Sequence, residues 1–170
     1  MDNKKLFTAF LLCASLIACS ASPEGPNPGA INPGIGVTEV KLFDAKEKVE
    51  QNLGKPASET ANPFNARNII VQYPDKGLEI SYLNDAVGSI VMYPSGKDGD
   101  GVEWQVYQGS TPEGVWPQSD VSTIKKKLGA PLKELPKAVV YPGLWIRLDS
   151  KGGVESFSIS KDEAAQLQEN

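Results

Sequence analysis

The feature that most constrains this chain is a spacing. Leu53-Gly54-Lys55-Pro56 and Leu128-Gly129-Ala130-Pro131 stand 75 positions apart, and Val49 and Ile124 keep the same offset. Each tetrapeptide reads as a helix end. Leucine closes an apolar stripe, glycine takes the left-handed position just past the last turn, and proline forbids continuation. In the first copy Ala45, Val49 and Leu53 recur every fourth residue, behind Asp44 as a candidate N-cap with Glu47 three positions on. In the second, Ser119 or Asp120 caps a stripe of Val121, Ile124 and Leu128. An offset held by both packing and punctuation positions marks an internal repeat.

Each helix is followed by strand signals. In the first copy Ala57 to Asn68 reads as a polar loop. The β-rich run NIIVQY then leads to the turn Pro74-Asp75-Lys76-Gly77, and LEISYL and VGSIVMY form a hairpin about Asn84-Asp85. In the second, Val139 to Pro142 leads to Leu144 to Leu148, the turn Ser150 to Gly153, and Val154 to Ile159. Tyr73-Pro74 and Tyr141-Pro142 mark the same corner, although the registers drift after the helix because the second loop is shorter. Val102 to Tyr107, VEWQVY, alternates as a strand should. The pattern predicts an α+β fold of two tandem helix-plus-antiparallel-hairpin units, sharing one antiparallel sheet with the short helices on one face. The expected boundaries are a signal peptide over 1–18, a Pro/Gly-rich tether over 19–36, a first unit over 37–93, a linker over 94–101, a second unit over 102–160 and a tail over 161–170.

The N-terminus addresses the chain to a membrane. Lys4 and Lys5 precede a short apolar run, Leu6 to Ala18, which suits a secretory signal better than a permanent span. The run closes on Leu16-Ile17-Ala18-Cys19, which resembles the lipobox of bacterial lipoproteins. That resemblance implies lipidation of Cys19 and attachment to the membrane through the lipid. Ser20 stands where the retention residue of enteric inner-membrane lipoproteins would be Asp, so the outer membrane, facing the periplasm, is the expected location in a Gram-negative host. The only other cysteine is Cys13, inside the leader, so the mature body has neither a disulfide nor a free thiol. Removing Lys4, Lys5 and Asp2 with the leader leaves 15 basic against 20 acidic residues, a net charge of −5. Such a body has no electrostatic footprint for nucleic acid.

A helix closed by Leu-Gly-x-Pro, then an extended segment and a Gly-turned hairpin, resembles the unit of the β-lactamase inhibitor proteins and of the SmpA/OmlA outer-membrane lipoproteins. Here Val121 to Ile124, Leu128 to Pro131 and Leu144 to Ile159 carry the likeness, and Leu53 to Pro56 with Leu78 to Met92 repeat it. It implies paired units forming one concave sheet surface and a role in binding or assembly. No functional residue of either family transfers to a position of this chain.

The chemistry available is narrow. The chain has no histidine, which removes Ser-His-Asp and Cys-His mechanisms in their common forms and every histidine-containing zinc site. No phosphate-cradling or dinucleotide motif is present, and no spacing singles out a catalytic carboxylate pair. No cofactor or metal is expected, and Asp98 and Asp100 among glycines read as a tight turn rather than a calcium loop. The Lys125-Lys126-Lys127 run is the solvated face of the second helix. What remains is aromatic: Trp104, Trp116, Trp145, Tyr107 and Tyr141 gather in the second unit. Trp104 shares a strand face with Val102 and Val106 and is expected in the core. Trp145, between Leu144 and Ile146, should point away from both. Trp145, Trp116 and Tyr107 are the candidate partner-binding residues. Two readings follow: a lipid-anchored, non-catalytic envelope module that binds or assembles a protein partner, or a small-ligand or carbohydrate-binding, even hydrolytic, envelope protein with a pocket of converging carboxylates.

Overall fold

In the computed structural model of the chain, residues 29–62 and 65–161 are described, so the leader, Cys19, the first part of the tether and the tail from residue 162 lie outside them. The first half runs β1 (Gly29–Asn32), β2 (Gly36–Val37), α1 (Lys46–Leu53), β3 (Ser58–Asn62), β4 (Asn65–Tyr73), β5 (Leu78–Leu83) and β6 (Ala86–Met92). After the short strands β7 (Gly96–Lys97), β8 (Glu103–Trp104) and β9 (Gly109–Ser110) come α2 (Val121–Leu128), β10 (Lys133–Leu135), β11 (Ala138–Tyr141), β12 (Leu144–Leu148) and β13 (Val154–Ser160). Eight strands make one antiparallel sheet in the order β10-β11-β12-β13-β6-β5-β4-β3.

This overturns the expected fold class. The chain is predominantly β, and its repeat is not a helix plus a hairpin: each short helix is followed by four strands in a meander. Within this sheet the strands that sequence reasoning missed are β3, SETAN, and β10, KEL, at its two edges. An edge strand open to water carries no apolar alternation, so its composition is that of a loop. The second unit also begins later than expected. Of Val102 to Tyr107 only β8 pairs as strand, with β7 inside the expected linker.

The tether is shorter than its composition suggested. Gly29–Asn32 pairs antiparallel with β2 and parallel with β9, and Ile31 and Val37 are buried in the main core. Ile31, fully buried, is the strap's apolar anchor, and backbone bonds to β2, β9 and Gly143 hold the rest.

The core lies on one face of the sheet. Val71, Ile80, Ile90, Ile146, Phe157 and Ile159 pack there with Val49 and Leu53 of α1, Ile124 of α2, and the strap. Both helices end at the foretold glycines, where Gly54 N–H donates to the Glu50 carbonyl and Gly129 N–H to the Lys125 carbonyl. With ψ of −168° and −154° at positive φ, neither glycine takes the left-handed helical conformation expected; both lie in the extended positive-φ region that is essentially glycine's alone. At the other end, Asp120 caps α2 by accepting from Thr123 N–H, whereas α1 starts at Ala45 without a side-chain cap. Asp44 instead accepts from Lys41 N–H and pairs with Lys48 at 2.7 Å.

One tie is made twice. The Tyr73 hydroxyl donates to the Gly54 carbonyl at 3.2 Å, and the Tyr141 hydroxyl to the Gly129 carbonyl at 3.3 Å. The tie spans 19 residues in the first half and 12 in the second. The partners Ser58↔Gln72 and Lys133↔Val140 locate the seven missing residues in the β10–β11 hairpin, since Ser58 and Lys133 still keep the offset of 75. Beyond the corner, Leu78-Glu79-Ile80 corresponds to Leu144-Trp145-Ile146. Across the central seam Val91 pairs with Ser158, which is its own counterpart in the other half. The sheet therefore has a pseudo-twofold axis through that pair.

Candidate functional site

The register of the sheet lines up one residue from each strand on the face away from the helices. The row reads Ser58, Gln72, Glu79, Val91, Ser158, Trp145, Val140, Lys133, each directly opposite the next. Its six inner members are half-buried and its two ends exposed. Such alternation with fully buried neighbours, Ile80 and Ile146 at 0 % exposure, is what a two-faced antiparallel strand produces. Beside the row run Ser81, Ser89 and Ser160, opposite one another on the three central strands.

The two halves of the row differ in chemistry. In the first, Ser58 Oγ donates to Gln72 Oε1 at 2.8 Å, and Gln72 Nε2 donates to Glu79 Oε2 at 3.0 Å. Glu79 titrates above the ordinary carboxylate range: burial raises it, the Gln72 bond opposes this, and the charges of Asp98 and Asp100 push it further up. In the second half Trp145 and Val140 form an apolar step, directly opposite one another on adjacent strands, where side chains interact most strongly.

The sequence-derived candidates separate here. Trp145 lies on the open face, pointing away from Leu144 and Ile146 as expected, and is half-buried. Trp116 is half-buried in the turn that feeds α2, where its N–H is held by Ser119 Oγ at 3.1 Å; the fold does not bring it into the row. Tyr107 is not a surface anchor. It is 4 % exposed, packs in the core and donates its hydroxyl to Glu39 Oε2 at 3.1 Å, and burial beside that carboxylate raises its titration. The VEWQVY segment turns inward after β8, which carries Tyr107 under the sheet instead of onto it. Cys19 lies outside the described residues. Glu79 and Ser158 were missed, although the match of Leu-Glu-Ile to Leu-Trp-Ile after each Tyr-Pro corner was legible.

No protein-family model matches this chain, and neither a curated protein nor a solved structure does.

Two hollows flank the open face. One, of about 420 Å³, is lined by Tyr93, Asp98, Trp104, Asp149 and Glu155 among others; the second, of about 750 Å³, lies beneath Trp145 and Arg147. Trp104 is core, as expected, at 2 % exposure, and stacks on Tyr93 with ring centroids 4.0 Å apart. The carboxylates of the first hollow are committed to turns. Asp98 accepts the Trp104 indole N–H at 2.7 Å and the amides of Asp100 and Val102. Burial raises Asp98, but the Trp104 bond and those amides outweigh it, and it stays ionised below the usual range. Asp149 is lowered by the amides of Gly153 and Lys151. Among the described residues no group of three or more His, Cys, Asp or Glu side chains could hold a metal ion.

Proposed function

We propose that this chain is a lipid-anchored envelope protein acting as a non-catalytic binding or assembly module, which docks one protein partner on the open face of its eight-stranded sheet. The observation that supports this most is the cross-strand row, in which a hydrogen-bonded polar half with a partly dehydrated carboxylate continues into an apolar half led by Trp145. Aromatic anchors beside satisfied polar groups are the usual makings of a protein interface. The lipobox ending at Cys19 supports the location.

The alternative, a ligand-binding or hydrolytic protein, needs carboxylates free to converge on a substrate. Asp98 and Asp149 close turns with the oxygens such a role would use.

Site-specific photo-crosslinking in cells tests the proposal. A crosslinker at Trp145 or Ser158 should trap one discrete protein, one at Lys126 on α2 should not, and Glu79→Lys should abolish the Ser158 product. The same products from Lys126, or none from either open-face position, would refute sheet-face docking.

A further inference from the structure

Among the described residues the exposed large hydrophobic side chains are Ile35 at 57 %, Phe43 at 67 % and Leu132 at 69 % exposure. They belong to three separate segments, yet the backbone gathers them around one corner. Gly34 N–H donates to the Gly143 carbonyl at 2.8 Å, which sets Ile35 beside the turn between β11 and β12. Leu42 N–H donates to the Ile35 carbonyl at 2.9 Å, which brings Phe43 next to it. Leu132 N–H donates to the Val140 carbonyl at 2.8 Å, on the strand that leads into the same turn. Phe43 is held there against its own preference. Its φ of +68° is a left-handed value that bulky residues rarely adopt, and Val87 bonds the chain on both sides, accepting from Phe43 N–H and donating to the Asp44 carbonyl.

The length of chain between this body and the proposed lipid limits what can lie against the corner. Gly29 is fixed in the strap, so ten residue steps separate it from Cys19, and they reach at most about 35 Å when fully extended. A domain of ~130 residues has a radius of gyration of about 14 Å and is itself roughly 35 Å across. An anchored body therefore cannot leave the membrane by more than about its own diameter. Lys41 and Lys133 flank the apolar residues in sequence, and of the nearby carboxylates Asp44 and Glu134 are paired with Lys48 and Lys125 at 2.7 Å each, while Asp85, in the turn beside Phe43, is exposed.

We infer that the corner carrying Ile35, Phe43 and Leu132 rests on the lipid bilayer to which the chain is anchored. The inference depends on the lipidation of Cys19 proposed above. The apolar tips enter the interfacial region while the two lysines lie at headgroup level. With the corner down, the body has a fixed orientation on its membrane, which sets the direction in which the open face meets a partner.

The test couples a lipid chemically to Cys19 of the chain from residue 19 onward, which contains every described residue, and reconstitutes it in nanodiscs of phosphatidylethanolamine and phosphatidylglycerol carrying gadolinium-chelating lipid. Amide signals of Ile35, Phe43 and Leu132 should broaden while those of Trp145 and Ser158 persist. The triple variant Ile35→Ser, Phe43→Asn, Leu132→Ser should lose this selectivity, and in the unlipidated Cys19→Ser background it should weaken vesicle binding by about tenfold or more. Asparagine tolerates the left-handed backbone at residue 43, so the variant keeps the fold. Uniform broadening, broadening centred on Trp145, or self-association that the triple variant removes would overturn the inference, the last by assigning the corner to a second copy. Palmitate labelling in cells tests the anchor separately. Label lost on Cys19→Ser supports it, and an unlabelled wild-type chain overturns the anchor, and with it the membrane role, even where the synthetic lipid docks the corner.

Discussion

Replacing Gly143 by alanine should detach the N-terminal strap from the sheet. A Cβ at this position would overlap Gly34 N and stand 2.7 Å from both Gly34 Cα and the Pro33 carbonyl carbon, all backbone atoms that cannot rotate away. The residue also has φ of +68°, where an L side chain costs about 1–2 kcal/mol. Gly152 separates the two effects, because its φ of +81° is similar and nothing lies within 4 Å of its virtual Cβ. Gly152→Ala should therefore show the conformational cost alone, about 1 kcal/mol. Gly143→Ala adds the overpacking cost of about 1–3 kcal/mol, for a total of about 2–4 kcal/mol. Urea unfolding of both variants measures the difference, and limited proteolysis reads its structural form. If the strap yields before the sheet does, Gly143→Ala becomes cleavable around Ile35 under native conditions while Gly152→Ala resists. Equal destabilisation of the two variants, or a Gly143→Ala protein with an intact strap, would refute the close approach of strap and corner.

Tyr73→Phe and Tyr141→Phe each remove one hydroxyl bond to a helix-ending glycine carbonyl, and each should cost about 1 kcal/mol in denaturant unfolding. The two losses should add within ~0.5 kcal/mol because the ties share no partner, and marked non-additivity would count against independent ties. Glu79 has a raised carboxyl in the fold, so the native state holds its proton more tightly than the unfolded chain, whose carboxyl titrates near 4.5. Its contribution is most favourable below that pH and is lost as the pH rises through the folded value. Glu79→Gln should accordingly stabilise the protein at neutral pH and leave it unchanged at low pH, with thermal unfolding across pH as the check. A stabilisation greatest in acid would reverse the assigned sign.

The helix ends were legible because their signals are local: Gly54 and Gly129 with Pro56 and Pro131 act within a few residues, and no tertiary contact is needed to read them. The inward face of each central strand was legible for the same reason, as in Leu78-Glu79-Ile80. Edge strands and the strap were not. Ser58–Asn62 is a strand because β4 offers it a ladder, and Gly29–Asn32 because β9 and β2 do, and neither partnership has a signature in the segment's own composition. Tyr107 failed for a related reason. An aromatic in an alternating run was read as surface, but Gln105 N–H bonds the Pro74 carbonyl and Tyr107 N–H the Tyr93 carbonyl, which draws the segment beneath the corner. Trp145 could be placed on a face from parity alone, whereas its neighbours in the row depend on pairings across the sheet.

The pseudo-twofold axis separates what the repeat preserves from what it has let diverge. On the covered face, counterparts keep their type: Leu78 and Leu144, Ile80 and Ile146, Ile90 and Phe157, Met92 and Ile159, all buried. Each tyrosine still ties its helix, and the glycine at each corner is still clamped, although by different segments, Gln105 to Tyr107 at Gly77 and Pro33-Gly34 at Gly143. On the open face Ser89 and Ser156 agree, but the other positions hold unlike residues: Glu79 against Trp145, Gln72 against Val140, Ser81 against Arg147. Packing constrains the covered face in both halves equally, so agreement there needs no explanation beyond the core. Divergence confined to the other face means the scaffold does not require it. A partner built on the same twofold symmetry would need matching residues at counterpart positions, since an isologous contact repeats itself across the axis. The row offers a carboxylate on one side and an indole on the other. A partner docked there as proposed would need a single asymmetric surface, with a donor or cation over Glu79 and an apolar element over Trp145, and would bind as one molecule per chain.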